Sequence, residues 1–290
     1  NQDDYDVDAA VEEIQQPITH TGDIYIMGDH RLICGDSTDP EVWDKLLSGE
    51  RPEMMITDPP YNVDYTGATA DKLKIMNDKM SEHDFYSFLL NFCKIAMERI
   101  NGAQYIFMSS SEWPTVHRAF IDAGGHRGAT IVWVKQHFTL GRGDMQSMHE
   151  PIYLGQSIKS MAGKKTAGQP IIYGWKRGGQ RLHYDNRTEC DIWITPKPNR
   201  SEIHPTMKPV TLYRKAILFS SRPTDIIFDG FSGSGTAFIA AEQTHRRCRG
   251  IELDPKYCDV IVKRWEEFTG KKAERIPANS DAEEPDGCHN

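Results

Sequence analysis

The sequence predicts an α/β fold whose mostly parallel sheet is covered by helices on both faces. Short apolar runs typical of buried strands alternate with stretches of helical periodicity. Four acidic residues end or follow such runs: Asp36, Asp58, Asp229 and Glu252. Because ligands of these sheets bind beyond the carboxyl ends of the strands, we expect the four carboxylates to share one site.

Hydrophobic patterning gives each element its place along the chain. The predicted strands are 31–35, 54–57, 105–108, 129–134, 152–155, 226–229 and 249–252. The predicted helices are 7–15, 83–100, 207–219, 236–244 and 255–268. The clearest is 83–100, where Phe85, Leu89 and Phe92 recur at helical spacing, and Ser81 with Asp84 resembles a capping box.

Charge is distributed unevenly along the chain. The formal net charge of −8 at first disfavours a nucleic-acid partner. Residues 126–215, however, contain 15 Lys and Arg against 6 Asp and Glu, whereas residues 1–23 contain 7 acids and no Lys or Arg. Such asymmetry is typical of a face that binds a polyanion, the alternative being a solvated surface.

Cysteine usage and hydropathy exclude several classes of protein. The six cysteines include no C-x-x-C pair, so we expect neither a metal site nor a disulfide framework. No run of about 18 apolar residues occurs, and the acidic N-terminus lacks a signal-peptide pattern, so we expect a cytoplasmic protein with no membrane span. Because the chain does not begin with Met, we expect that it has been trimmed from a longer one.

The segment Asp58-Pro59-Pro60-Tyr61 follows an apolar run and favours a site for a flat ring that carries an amino group. The prolines lack an N–H, so their backbone can only accept hydrogen bonds, and an ionised Asp58 also only accepts. Tyr61 offers a face for stacking. Adenine or cytosine fits this combination, while the alternative is a simple proline-rich turn.

A glycine-rich turn between residues 229 and 236 favours a nucleoside ligand. Gly233 and Gly235 let the backbone approach a ligand closely, and the predicted helix that follows offers free N–H groups. Glu252 lies about 20 residues further on, the offset at which an acid can hold ribose hydroxyls. The turn is not a P-loop, and Phe238 replaces the third small residue of a dinucleotide fingerprint, which disfavours a dehydrogenase.

Together, these segments resemble the amino-group DNA methyltransferases. The resemblance is carried by 58–61, by the His-Pro-Thr-Met-Lys-Pro run at 204–209, by 229–236 and by Gly250-Ile251-Glu252, and it extends from about residue 22 to 268. The catalytic motif precedes the cofactor motif, which is the circularly permuted order of the β group. Residues 28–36 and the catalytic motif are most similar to phage and prophage members, and the resemblance implies a role in DNA methylation and restriction-modification.

The resemblance implies a seven-stranded, Rossmann-like class I methyltransferase sheet with one reversed strand, formed by a hairpin of 129–134 with 152–155. It also implies a methyltransferase domain at 23–270. Composition predicts an acidic linker or arm at 1–22 and a disordered tail at 271–290. A target-recognition insertion would occupy about 156–200. Its basic and aromatic residues suit phosphates and unstacked bases, with Lys176, Arg177, Arg181 and Arg187 as DNA-binding candidates.

The implied activity is transfer of a methyl group from S-adenosylmethionine to the N6 amine of an adenine flipped out of double-stranded DNA. Asp58 and a proline carbonyl would accept from the amine, and Tyr61 would stack on the base. Relatives of the β group are often homodimers. The implied cofactor-binding residues are the following: Asp36, Thr206, Lys208, Asp229, Phe231, Ser232, Gly233, Gly235, Thr236 and Glu252.

Several alternatives stay open at this point. Asp36 also fits a plain helix cap, and Lys208 a surface charge. Asp in the first position of the catalytic motif favours adenine, whereas family members acting on cytosine N4 more often carry Ser. Cytosine N4, an RNA or protein-glutamine substrate, and a DNA-binding module without turnover are therefore the competing interpretations.

Overall fold

The computed structural model describes residues 5–62, 79–135, 167–178, 190–194 and 207–278. The helices in this part of the chain are α1 (Val7–Glu13), α2 (Pro40–Leu47), α3 (Glu82–Arg99), α4 (Trp113–Asp122), α5 (Val210–Ser220), α6 (Thr236–Gln243) and α7 (Pro255–Thr269). The strands are β1 (Ile24–Met27), β2 (His30–Cys34), β3 (Met54–Thr57), β4 (Ala103–Phe107), β5 (Gly125–Lys135), β6 (Ala167–Lys176), β7 (Ile192–Ile194), β8 (Ile226–Asp229), β9 (Arg247–Glu252) and β10 (Glu274–Ile276).

The strands form one sheet in the order β10-β1-β2-β9-β8-β3-β4-β6-β5-β7. The five neighbours from β2 to β4 run parallel, and β6 is antiparallel to both β4 and β5. The α/β class and the mostly parallel sheet are therefore confirmed. The described sheet has ten strands rather than seven, because β1 and β10 extend one edge and β7 extends the other.

The hairpin of β5 differs from its prediction. Among the described residues its antiparallel partner is β6, at Ala167–Lys176, with Ile131 opposite Ile171. The predicted partner at 152–155 lies outside the described residues. Ile171 and Ile172 are fully buried, so part of the interval assigned to the recognition insertion is a core strand of the sheet.

Helices cover both faces of the sheet because each face presents a continuous apolar surface. On one face, α2, α3 and α4 pack around Trp43, whose ring stacks on Phe228 with centroids 3.9 Å apart. On the other, α5, α6 and α7 pack around Phe238 and Trp265. Each fully buried large side chain contributes about 2 kcal/mol relative to exposure.

The segments flanking the main domain are held in place where the structure describes them. The Asp259 carboxylate of α7 accepts from Ile18 N at 2.7 Å and Thr19 N at 3.2 Å. Strand β10 pairs with β1, and Arg275 contacts the buried Asp23 carboxylate at 2.7 Å. The prediction of disorder from residue 271 is therefore wrong for 271–278. This segment forms the short edge strand β10, which its polar composition did not indicate.

None of the helices that the structure describes has the length and apolar character needed to span a membrane.

Candidate active site

The predicted catalytic turn begins where β3 ends. Thr57 is buried, and the Asp58 side chain that follows it is 22% exposed. The Tyr61 hydroxyl donates to Asp58 Oδ1 at 2.6 Å. Pro59 and Pro60 connect the two residues and have no N–H to compete for this carboxylate. The turn therefore presents one carboxylate and one aromatic ring at the carboxyl edge of the sheet.

Lys208 lies against Asp58. Its ammonium donates to Asp58 Oδ2 and lies 5.1 Å from the centroid of the Tyr61 ring and 5.5 Å from that of Phe107. Its side chain is only 6% exposed, so the surface-charge alternative is wrong. In this structure a described anionic partner of Lys208 is the Asp58 carboxylate. Thr206, predicted beside it, lies outside the described residues.

A hydrogen-bonded chain joins the catalytic turn to the glycine turn. Thr57 Oγ1 donates to Asp229 Oδ1 at 2.7 Å and accepts from Gly230 N at 3.1 Å. Phe231 N also donates to Asp229 Oδ1, at 3.2 Å. Because β3 and β8 are parallel neighbours, their ends meet here. Thr57 was not among the residues predicted for the site, although it stands directly before Asp58 at a strand end.

Burial dominates the electrostatics of Asp229. Desolvation raises the pKa of its carboxyl to about 7, although the bonds from Thr57 and Phe231 oppose the shift, and the nearby Asp58 charge adds to it. A carboxyl that is neutral in part at neutral pH needs little compensation from a cation. This explains how Asp229 is tolerated inside the sheet edge.

The backbone of the glycine turn favours glycine at two positions. Gly233 has φ +48° and Gly235 has φ +81°, both in the left-handed region. A Cβ on Gly235 would also lie 3.1 Å from two carbons of Ile261 on α7. The chain can therefore turn tightly from β8 into α6 and leave the first N–H groups of that helix at the sheet edge.

Glu252 is bound to the glycine turn at the end of β9. Its Oε2 accepts from Gly233 N at 2.6 Å and its Oε1 from Asp254 N at 2.9 Å. Burial of the carboxyl against the turn raises its pKa to about 7 despite these two bonds. The side chain is nevertheless partly exposed, so its remaining lone pairs can be reached by a ligand.

Asp36 follows β2 and is exposed at the same sheet edge. Its Oδ1 accepts from Thr38 N at 2.7 Å and from Thr38 Oγ1 at 2.8 Å. The cap of α2 is Asp39, so the alternative that Asp36 serves as the helix cap is wrong. The buried Ser37 donates through Oγ to Gly230 O and so ties this loop to the glycine turn. No pattern in the sequence indicated this role for Ser37.

The other predicted cofactor residues surround the glycine turn. The Phe231 ring lies 4.8 Å from Phe92 and 5.8 Å from Phe88 between ring centroids. Ser232 is buried, and its Oγ donates to Asp229 O at 3.4 Å. Thr236 Oγ1 donates to Lys208 O at 3.4 Å. Thr236 thus connects the glycine turn with the segment that carries Lys208.

Arg264 supports the glycine turn from α7 and was missed in the sequence. It is almost fully buried, and its Nη1 donates to Ser234 O at 2.6 Å. A signal was present, because Arg264 stands at helical spacing from the apolar Val260 and Ile261. A charged residue on the buried stripe of a helix usually has a polar partner inside the fold.

Two of the four predicted DNA-binding residues, Lys176 and Arg177, are not brought to this edge. Lys176 pairs with Gly125 at the start of β5, and Arg177 N donates to Gly124 O. Both exposed side chains therefore lie beyond the amino ends of β4 and β5, opposite the edge that carries Asp58. The placement is due to the reversed direction of β6. Arg181 and Arg187 lie outside the described residues.

Within the described ranges, no group of three or more His, Cys, Asp or Glu side chains is arranged to hold a metal ion.

Comparison with known proteins identifies the class of this α/β protein. Residues 53–263 match the family model described as DNA methylase of the N6/N4 type. The chain is 28% identical over 262 residues to the DNA adenine methyltransferase YhdJ of Escherichia coli K12, covering 80% of this chain and 82% of that protein. It is 27% identical over 270 residues to the type II methyltransferase M.HpaI of Haemophilus parainfluenzae, covering 83% of this chain and 76% of that protein.

Solved structures share the fold at lower identity. The complex of M1.HpyAVI with S-adenosylmethionine superposes with a TM-score of 0.54 at 20% identity, covering 80% of this chain and 98% of that one. The cytosine-N4-specific PvuII DNA methyltransferase superposes with a TM-score of 0.55 at 16% identity, covering 89% of this chain and 94% of that one. The fold and the family match thus define a class I methyltransferase. The chain belongs to the N6/N4 DNA methylase family.

Proposed function

We propose that this chain transfers a methyl group to the N6 amine of an adenine flipped out of duplex DNA. The observation that carries the proposal is the position of Asp58. It directly follows Thr57, the last residue of β3, whose hydroxyl is hydrogen-bonded to Asp229 and Gly230 at the glycine turn. The cofactor is S-adenosylmethionine, which supplies an electrophilic methyl group on a sulfonium. One polar edge then serves both the acceptor base and the methyl donor.

Asp58 is the group that binds the target amine in this proposal. The lone pair of an exocyclic amine is delocalised into the ring, so the nitrogen is a poor nucleophile. Accepting hydrogen bonds from its two N–H groups, through Asp58 and a carbonyl of Pro59 or Pro60, draws the nitrogen toward tetrahedral geometry. The carboxylate also stabilises positive charge that develops during direct in-line transfer. The Tyr61 ring stacks on the flipped base.

The glycine turn and Glu252 suit an adenosine-type cofactor. The backbone of Gly233 and Gly235 allows close approach, and Glu252 has lone pairs left for ribose hydroxyls. Asp229 orients the turn through Phe231 N. Asp36 stands one strand beyond Glu252, because Gly35 N donates to Glu252 O at 2.9 Å, and it is the candidate for the adenine amine.

The DNA partner follows from the family, while its recognition surface is a proposal. Residues 156–200, apart from β6, remain the candidate region for reading the target sequence. Lys176 and Arg177 are not included in the surface that faces the flipped base, because β6 carries them to the opposite edge.

Cytosine N4 is the second candidate acceptor. The fold does not separate the two bases, since a cytosine-N4-specific enzyme shares it. Asp rather than Ser in the first position of the catalytic turn favours adenine, as does the name of the E. coli relative. A DNA-binding module without turnover is disfavoured because Asp58, the glycine turn and Glu252 are all in place.

Nucleoside mass spectrometry of DNA from cells that express the chain tests this proposal. The expected product is N6-methyladenine, with the sequence context read by methylome sequencing. Asp58→Asn is the matched control and should yield none. N4-methylcytosine instead would identify the second candidate, and neither product on unmethylated duplex DNA, with cofactor binding intact by calorimetry, would contradict a DNA methyltransferase role.

A further inference from the structure

Both oxygens of the Asp58 carboxylate are engaged in this structure. Tyr61 donates to Oδ1 at 2.6 Å, and the Lys208 ammonium donates to Oδ2. The proposed function, on which this inference rests, requires the same carboxylate to accept a hydrogen bond from the target amine. The amine is itself a donor, so its arrival competes with one of the two existing donors.

The two contacts differ in strength. The bond from Lys208 joins opposite charges, and such bonds are about twice as strong as bonds between neutral groups. Lys208 is also nearly fully buried, where water competes little with the ion pair. The Tyr61 hydroxyl is neutral and belongs to a partly exposed side chain. The contact with Tyr61 is therefore the one that an incoming donor displaces.

Lys208 is also held by the backbone around it. It lies two residues before α5, and Pro209 between them fixes the backbone as the N-cap of that helix. Its carbonyl accepts from Thr236 Oγ1 at the start of α6. The ammonium approaches Asp58 from a segment that is bound to the glycine turn, so its position is set by the same frame as the cofactor residues.

We propose that Lys208 is a positioning residue whose ammonium fixes the Asp58 carboxylate through Oδ2 and leaves Oδ1 for the target amine. Entry of the amine displaces the Tyr61 hydroxyl from Oδ1. The Tyr61 ring, released from Asp58, can then turn onto the plane of the base. Lys208 therefore acts on methyl transfer through Asp58.

A kinetic comparison tests this role. Lys208→Met should lower kcat by about 10- to 100-fold while the cofactor dissociation constant, measured by calorimetry, changes by less than about threefold. Lys208→Arg, which keeps a cation, should recover part of kcat. Lys94→Met, on the exposed face of α3, is the matched control and should behave like the parent chain. A weakening of cofactor binding by about tenfold or more with kcat intact at saturation would overturn the proposal.

A double-mutant cycle separates a specific role from general damage. If Lys208 acts through Asp58, adding Lys208→Met to Asp58→Asn should change the single-turnover rate by less than about threefold. If the Asp58→Asn variant is too slow for its rate to be measured, the same double-mutant cycle can be measured with melting temperatures. Lys208→Met should then lower the Tm less in the Asp58→Asn background than in the parent chain. Independent, multiplicative losses would overturn the role of Lys208. Full turnover by Asp58→Asn alone would instead overturn the proposed function.

Discussion

At the scale of single residues, the site is a row of carboxylates with different environments. Asp58 is paired with a cation, Asp229 is buried among hydroxyl and amide donors, and Glu252 is bound by two backbone N–H groups. All three lie at the carboxyl ends of neighbouring strands, so the pattern of acids at strand ends predicted that they would be close together. It could not predict Lys208 on Asp58, because that contact joins residues 150 positions apart.

Asp58→Ala and Asp58→Asn should both abolish transfer, but they should differ in stability. The alanine variant removes the carboxylate that accepts from a buried ammonium, and we expect it to lose on the order of 2 kcal/mol of folding free energy. The asparagine variant keeps an acceptor oxygen and should lose less. Thermal unfolding of the two variants, with cofactor binding as a check on the fold, measures the difference. If both variants were as stable as the parent chain, the ion pair would contribute little to the folding free energy.

Asp229 should make stability depend on pH. Its folded pKa of about 7 exceeds the ordinary value of 3.8, so the folded state holds the proton more tightly than the unfolded state. Stability from this group is fully present below about pH 4 and is lost as the pH rises toward 7. Asp229→Asn removes the ionisation, so its stability relative to the parent should increase by a few kcal/mol (roughly) across that range. If the difference in folding free energy between Asp229→Asn and the parent stayed constant from pH 4 to 8, the raised pKa of Asp229 would be contradicted.

At the scale of elements, hydrophobic periodicity predicted most of the helices and strands near the site. The run 54–57 matches β3 and 226–229 matches β8, because buried parallel strands are continuously apolar. The pattern missed β6, whose sequence mixes glycine, proline and polar residues within a basic stretch. Its place in the sheet depends on β4 and β5 on either side, which no local pattern contains.

The hydrogen bond from Arg264 on α7 to Ser234 O in the glycine turn should control cofactor affinity. Arg264→Met removes the donor to Ser234 O and lets the turn relax, so the cofactor dissociation constant should rise by about tenfold, a loss of about 1.4 kcal/mol. Turnover at saturating cofactor should change little, since Arg264 does not contact Asp58 in the described set of hydrogen bonds. Lys263→Met, at the neighbouring position with a side chain 48% exposed, is the matched control. Equal cofactor affinities of the Arg264→Met and Lys263→Met variants would contradict this role of Arg264.

At the scale of the whole molecule, the sheet extends beyond the part that carries the site. The family resemblance predicted a seven-stranded sheet, whereas β1 and β10 add two strands beside β2. Neither was predicted, because β1 is short and β10 lies in a polar segment that pairs with β1 and contacts the buried Asp23. Asp23 accepts from Arg275 and from Ala278 N at 3.0 Å.

Truncation of the C-terminus should show whether β10 contributes to the stability of the fold. Removal of residues 279–290 should leave stability unchanged, while removal of 271–290 also deletes β10 and leaves the buried Asp23 without Arg275. We expect the longer deletion to cost about 2 to 3 kcal/mol, the usual penalty for a buried charge that loses its partner. Arg275→Ala in the full chain should reproduce much of that loss in chemical denaturation. Equal midpoints for both truncations would mean that β10 does not support the sheet.

The raised pKa values of Asp229 and Glu252 have a thermodynamic consequence for ligand recognition. Near neutral pH both acids are partly protonated in the free protein, whereas a sulfonium and ribose hydroxyls each favour the ionised form. Association should therefore release protons to the solvent. Heats of binding measured in phosphate and in Tris at pH 7 should then differ by the buffers' ionisation enthalpies, in proportion to the protons released.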